Sequence, residues 1–303
     1  MQVTIDQLRK VKGIGEKTIE RIIEQYAEPS AYDTSYKPYK AHELDYCDEN
    51  NWLMYGDCLE RMREIPDGSV DMIMADVPYQ TTSCHWDSMI PLEPMWALIK
   101  RVVKSNAAIV MTASQPFTTT LIASNMKMFK YCWVWEKTRA SGHIHAKNKP
   151  MKIHEDVCVF SHGVTLHKGQ SQHRMKYNPQ GLVAVNKTSY RPSRGSRGSN
   201  VVAGLRPSHK KTVKVTHENY PVSVIKINSE HNVGAIHPTQ KPVALLEYLI
   251  RTYTDEGDTV LDFTMGSGTT GVACRNLNRK FIGIELDENY YKLGRDRILN
   301  GDK

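Results

Sequence analysis

The sequence predicts an α/β fold: a mostly parallel sheet with helices on both faces, a small N-terminal helical hairpin and a basic insert. Three observations predict it. From Asn51 onward, short apolar runs alternate with amphipathic stretches, the pattern of βα units whose strands are buried on both sides. A glycine-rich turn, Gly266, Gly268 and Gly271, lies between one such run and one such helix. Positive charge is gathered in one segment. With 303 residues, the chain can hold one large α/β domain with an appendage or two modest domains.

At the N-terminus, Leu8, Val11, Ile14, Ile19, Ile22 and Ile23 are spaced for two short helices meeting at Gly13-Ile14-Gly15. This unit, residues 1–26, resembles a helix-hairpin-helix. There, glycines let backbone N–H groups at a helix N-terminus approach a phosphate closely. Lys12, Gly13, Gly15 and Lys17 are therefore candidate DNA contacts. A plain helical hairpin packed on the main domain or on another subunit is the competing reading. Residues 27–50 mix Pro, Ser, Tyr and charge without periodicity and read as a linker.

The main domain follows. Asn51 to Tyr55 and Val70 to Ala75 read as strands with a helix at Cys58 to Glu64 between them. Pro94 to Lys104 reads as a helix, Ala107 to Thr112 as a strand and Thr118 to Ser124 as a helix. Tyr131 to Glu136 and Asp156 to Phe160 read as two more strands, closing a first half at residues 51–160. Trp133 and Trp135 alternate with Val134 and read as core. After an insert at 161–232, residues 233–303 resume the pattern: helix Lys241 to Tyr253, strand Thr259 to Phe263, helix Thr269 to Leu277, strand Phe281 to Glu285, helix Asn289 to Leu299.

Between Ser161 and His231 stand twelve Lys or Arg against two Glu. That segment carries +10 of a net +7, so the rest of the chain is acidic at −3. Local basicity of this kind suits a surface that faces phosphates. Within it Arg191, Arg194 and Arg197 recur every third residue, with Lys210 and Lys211 beyond; all five are candidate contacts to phosphates or guanine edges. A solvated basic loop is the bland alternative.

Other classes fit less well. Hydrophobic residues make up 40% and charged residues 24%, ordinary globular values. No run of 18 apolar residues and no apolar signal core is visible, so a cytoplasmic location without a membrane partner is expected. Six scattered cysteines without a CxxC pair argue against a zinc ribbon or a disulfide framework. His143 and His145 lie two apart without carboxylate company, and no metal site is expected; their segment reads instead as one that closes over a bound base.

Two motifs carry chemistry. Gly266, Gly268 and Gly271 satisfy GxGxxG after a strand and at a helix start, and Glu285 ends the next strand, where it can accept from ribose hydroxyls. This supports an adenosine-containing ligand and does not separate a dinucleotide from S-adenosylmethionine. The second motif is Asp76-Val77-Pro78-Tyr79. A base's exocyclic amino group is a poor nucleophile because its lone pair is delocalised, so an enzyme must favour the form in which the nitrogen pyramidalises. The Asp76 carboxylate and the Val77 carbonyl, held extended by Pro78, can accept its two protons, and Tyr79 can stack on the base. The nucleotide must first rotate out of the duplex.

From about Trp52 to Leu299 the chain resembles the β class of amino DNA methyltransferases, in which a DPPY-type motif precedes an FxGxG motif. The likeness rests on Gly56-Asp57-Cys58-Leu59, Asp76-Val77-Pro78-Tyr79, His154-Glu155-Asp156, His237-Pro238-Thr239-Gln240-Lys241-Pro242, Phe263-Thr264-Met265-Gly266-Ser267-Gly268 and Glu285. YQTTSCHWD at Tyr79 to Asp87 and Ala113 to Phe117 resemble a phage and bacterial branch. The resemblance implies a Rossmann-like methyltransferase fold with a seven-stranded type of sheet, S-adenosylmethionine as cofactor and double-stranded DNA as substrate.

It further implies that Asp57 binds the cofactor's adenine, that Asp262, Phe263, Met265, Gly266, Ser267, Gly268, Thr269 and Thr270 wrap its methionine part, and that Glu285 holds its ribose. Thr239 belongs to the same site, and Lys241 pairs with the cofactor carboxylate. The insert then falls at the target-recognition region. Val77 and Gln80 depart from the family, which favours Pro and Gly there.

The expected activity is methyl transfer to the N6 amino group of adenine, with the cytosine N4 amino group as the alternative; Asp rather than Ser at position 76 leans to adenine. An NAD-linked oxidoreductase would leave the +10 insert and the N-terminal hairpin unexplained. An inactive DNA-binding relative, disabled at Val77, is the third reading. A homodimer and a cognate restriction enzyme are partners this reading allows.

Overall fold

The computed structural model describes residues 36–37, 41–78, 90–165, 173–190, 212–228 and 240–301. Strands β2 (Asn51–Tyr55) and β3 (Val70–Ala75) flank a short helix α1 (Cys58–Arg61) that runs on as a 3-10 turn, Met62–Glu64. The expected helix over 58–64 thus tightens in its last turn, where Arg101 Nη2 donates to the Met62 carbonyl at 2.6 Å. Helix α2 (Leu92–Val102) leads without a loop into β4 (Val103–Ala113), and α3 (Phe117–Ser124) leads to β5 (Phe129–Ser141) and β6 (Lys152–Phe160). Strands β7 (Val183–Tyr190) and β8 (Thr212–Glu218) pair only with each other among the described residues, while β9 (Val224–Lys226) returns to the main sheet. The chain then forms α4 (Val243–Tyr253), β10 (Thr259–Asp262), α5 (Thr269–Asn276), β11 (Lys280–Glu285) and α6 (Glu288–Asn300).

The main sheet has nine strands in the order β1-β2-β11-β10-β3-β4-β6-β5-β9. Its inner seven, β2 to β5, match the expected type. From β2 to β4 all are parallel, and β6 runs antiparallel to β4 and to β5. The two outer strands are short and fall where none was expected. Strand β1 (Tyr46–Cys47) lies in the stretch read as linker, and β9 in the stretch read as insert. Two or three residues are too few to show a period, so only pairing reveals them.

Burial explains why the strands read as apolar runs. Met54, Ile73, Ala75, Ile109 and Met111 face a core with Met95, Trp96, Leu98, Ile99 and Val102 of α2. Their neighbours Leu53, Met72, Met74, Ala108 and Val110 face the opposite core with Leu245, Leu249 and Ile250 of α4 and Ile298 of α6. Alternate side chains enter opposite cores, so both periods-of-two are hydrophobic. Trp133 and Trp135 are core residues; their indole N–H groups donate to the Tyr253 hydroxyl at 2.7 Å and the Ile227 carbonyl at 2.9 Å. No described helix is long and apolar enough to cross a membrane.

Candidate active site

Strand order decides where a ligand can sit. Parallel strands β10 and β3 are neighbours, with Val260 opposite Met72 and Leu261 opposite Ile73. The chain leaves β10 through α5 toward β11 on one side, and leaves β3 through α2 toward β4 on the other. Loops that diverge in this way open a crevice at the carboxyl ends of the two strands. Asp76 follows β3 and Asp262 ends β10, so both motifs enter one crevice. They touch: the Thr264 hydroxyl donates to the Asp76 carbonyl at 3.3 Å, across 188 residues of sequence.

The Asp76 carboxylate is held on both oxygens. The Thr112 hydroxyl at the end of β4 donates to Oδ1, and Lys241 Nζ lies 2.5 Å from Oδ2. Lys241 is also 3.5 Å from Glu155 Oε2, and Glu155 is paired with Lys137 on the other side. Burial pulls the Lys241 pKa down, but Asp76 and Glu155 outweigh it and the net direction is up. The ammonium therefore stays charged at neutral pH. The sequence reading aimed Lys241 at a cofactor carboxylate; in the structure its ammonium lies on Asp76 and Glu155. The Val77 side chain is buried in the α2-side core, which suits an aliphatic residue at this position.

The loop after β10 is a backbone cradle. Gly266 and Gly268 take φ of +50° and +77°, which L side chains adopt only with strain. A Cβ on Gly268 would lie 2.8 Å from the Gly294 carbonyl oxygen, so α6 packs against bare backbone. Gly266 N–H donates to Glu285 Oε2 at 2.8 Å, and Asp287 N–H donates to Oε1 at 2.8 Å. Arg297 Nη1 reaches the Ser267 carbonyl at 2.5 Å and lies within 3.4 Å of the Thr269 hydroxyl. Phe263, Met265, Ser267, Thr269 and Thr270 turn their side chains into the protein. What this loop offers a ligand is main chain, kept rigid from below.

Asp57 joins the same edge. Gly56 N–H donates to the Glu285 carbonyl at 2.9 Å, which brings β2 and β11 together at their carboxyl ends. The Asp57 carboxylate caps α1, accepting from Leu59 N–H at 2.8 Å and Glu60 N–H at 3.3 Å. Burial raises the Glu285 carboxyl above its usual range.

Asp262 is the most confined acid of the crevice. Thr270 Oγ1 donates to Oδ2 at 2.5 Å and Thr264 N–H to Oδ1 at 3.0 Å. Burial nonetheless pushes its pKa up to about 7 from 3.8. Between those values the folded chain holds a proton that the unfolded chain has released, so stability falls as pH rises across that window. Asp262→Asn should therefore gain on the wild type between pH 5 and pH 8, by on the order of 1–3 kcal/mol. Thermal unfolding at the two pH values checks this; a gap between the two proteins that stays constant would count against it.

Several expected site residues lie outside the described residues: Tyr79, Thr239, the hairpin residues Lys12, Gly13, Gly15 and Lys17, and the basic residues Arg191, Arg194, Arg197, Lys210 and Lys211. Others were missed. Thr112 carried a faint signal, a polar residue near the end of the apolar run Ala107 to Ala113. Arg297 and Gly294 carried none, because their partners are loop residues of a distant turn.

A glycine turn beside Asp76 at a sheet switch point is the arrangement expected of a Rossmann-like, S-adenosylmethionine-dependent transferase. The residues leave room for that cofactor: a Cβ at Gly266 would meet nothing within 4 Å, and Glu285 and Asp57 stand at the same edge of the sheet. A family profile described as DNA methylase, N6_N4_Mtase, matches residues 70–296. The chain belongs to this family, and it is a DNA methyltransferase of the N6-adenine or N4-cytosine kind that uses S-adenosylmethionine. It is similar to the type II methyltransferase M2.LlaDCHI of Lactococcus lactis subsp. cremoris, 28% identical over 88% of this chain and 93% of that protein. It is similar also to the DNA adenine methyltransferase YhdJ of Escherichia coli K12, 27% identical over 82% and 83%. Among solved structures, the M1.HpyAVI-SAM complex shares the fold with a TM-score of 0.52 at 23% identity, over 82% of this chain and 99% of that one.

Proposed function

We propose that the enzyme methylates the N6 amino nitrogen of adenine in double-stranded DNA, at a sequence of its own. The observation that carries this reading is the contact between the two motifs, Thr264 on the Asp76 carbonyl at 3.3 Å. It joins the Asp76 motif to the glycine loop, which supports a reading in which Asp76 accepts amino protons beside the cofactor.

S-Adenosylmethionine, when bound, supplies a methyl group made electrophilic by its sulfonium. The chain's own residues do the rest. The main chain of Asp262 to Gly268 wraps the methionine part, braced by Phe263, Met265, Ser267, Thr269 and Thr270. Glu285 takes the ribose, Asp57 the adenine, and Thr239 with Lys241 close the carboxylate end. Asp76 and the Val77 carbonyl accept the two protons of the target amine, which favours the pyramidal nitrogen that can attack. A carboxylate offers about four acceptor sites, and the incoming N–H competes for one of them against Thr112 and Lys241. That ammonium, with Thr112, aims the Asp76 carboxylate. Pro78 keeps the Val77 carbonyl extended, and Tyr79 stacks on a base rotated out of the duplex.

Adenine is favoured by Asp at position 76 and by likeness to a relative named as a DNA adenine methyltransferase. DNA is gripped by the hairpin of residues 1–26 through Lys12, Gly13, Gly15 and Lys17, and read by the insert of residues 161–232 through Arg191, Arg194, Arg197, Lys210 and Lys211. Residues 51–160 and 233–303 form the catalytic and cofactor halves, acting in the cytoplasm of a bacterial or phage-infected cell.

Sequencing plasmid DNA from cells that express the chain, by a method sensitive to both N6-methyladenine and N4-methylcytosine, tests the reading. A defined motif bearing N6-methyladenine is expected. N4-methylcytosine in that motif would overturn the choice of base, and unmodified DNA the activity. The motif would also show which restriction enzyme, if any, is its counterpart.

A further inference from the structure

The connection between β5 and β6 stands on the catalytic side of the sheet. Strand β5 runs with β4 and β6 against it, so the turn after Ser141 emerges where β3 and β10 end. Its base is tied to the catalytic floor. Lys152 Nζ donates to the Ser114 hydroxyl just beyond β4, and Glu155 reaches Lys241, the partner of Asp76. Lys137 lies over the Trp135 ring, 5.4 Å from its centroid.

Beyond that base everything from residue 141 to 151 is exposed, yet the tip has a defined shape. Gly142 takes φ +91° and starts a 3-10 turn over His143–His145; His145 N–H donates to the Gly142 carbonyl at 2.9 Å and Asn148 N–H to the His145 carbonyl at 2.8 Å. At the apex stands Ile144, 93% exposed, with Met151 and Ile153 also exposed further down. Around it, residues 137–152 hold five Lys or Arg and no acid. One bare aliphatic on a surface means little. An aliphatic apex on a uniformly cationic hairpin, facing the side where duplex DNA must dock, has the chemistry of a groove wedge: cations for phosphates and an apolar tip for a base step.

We infer that the β5–β6 hairpin is a DNA-docking element, in which Lys147 and Lys149 hold phosphates and Ile144 enters the stack at the target, filling space left by the rotated nucleotide. The inference rests on the reading that the target base leaves the duplex.

The test uses the full chain, the methylated motif in a duplex oligonucleotide and a second duplex with an abasic position opposite the target. Ile144→Ala should lower kcat/KM at least tenfold on the paired duplex, and by less than threefold on the abasic one, where no base pair must be broken and the opposite strand leaves a gap. Lys147→Ala with Lys149→Ala should weaken binding on both and reduce the salt slope by about two. A fluorescent analogue of the target base separates the two claims. If the wild type gives no rise in its signal, base rotation fails and the wedge with it; if wild type and Ile144→Ala give the same rise, only the wedge fails. Equal losses on the two duplexes would likewise overturn it.

Discussion

Asp76→Asn should lower kcat by roughly a thousandfold while S-adenosylmethionine binds within about threefold of the wild-type affinity. The side chain keeps its shape, but the amide offers one acceptor oxygen where the carboxylate has two, and no charge. Thr112 donates to one oxygen and Lys241 sits on the other, so the amide must present its NH2 to one of two donors. Glu155 remains beside Lys241, which limits the cost of the lost ion pair and keeps the protein folded. Single-turnover methyl transfer with a separate cofactor titration reads the two effects. An Asp76→Asn enzyme that keeps a tenth of its rate would remove Asp76 from the chemistry.

Gly268→Ala should be damaging on two counts, conformation and packing. At φ +77° an alanine costs about 1–3 kcal/mol. Its Cβ would also lie 2.8 Å from the Gly294 carbonyl and 2.9 Å from the Gly294 Cα, and backbone cannot yield as a side chain does. Overpacking of that kind adds about 1–3 kcal/mol, so a loss of about 2–6 kcal/mol is expected, with the cofactor cradle pushed off α6. Gly266→Ala is the control. Its φ is +50°, but nothing lies within 4 Å of the added methyl, so only backbone strain of about 1–2 kcal/mol remains. Thermal unfolding without S-adenosylmethionine should rank Gly268→Ala well below Gly266→Ala in stability; equal behaviour would mean that helix packing, as opposed to conformation alone, plays no part.

Much of the fold was legible residue by residue. Strands β2 and β3 begin and end where their apolar runs do, and α2, α4 and α5 fall within a few residues of their amphipathic stretches. Strand β5 runs on to Ser141, well past the readable Tyr131 to Glu136, because its last residues are exposed and show no burial pattern. In the crevice, the strand-end positions of Asp76, Asp262 and Glu285 were legible from motifs. Thr112 was not, because a threonine donor to Asp76 is distinguished only by the neighbour it meets. Lys241 was singled out from its motif, but its pairing with Asp76 and Glu155 was not legible, for the same reason.

Taken alone, the amino-acid sequence determined the identity and order of the helices and strands of residues 51–160 and 241–300, the glycine turn and the Asp76 motif. Those properties depend on periodicity and residue type within a few positions, where chain geometry is nearly invariant. Tertiary structure decided that β10 lies beside β3, that Lys241 pairs with Asp76 and Glu155, and that Gly294 presses on Gly268. These are contacts between segments far apart in the chain, and their partners are chosen by how the whole set of strands and helices buries its apolar faces at once.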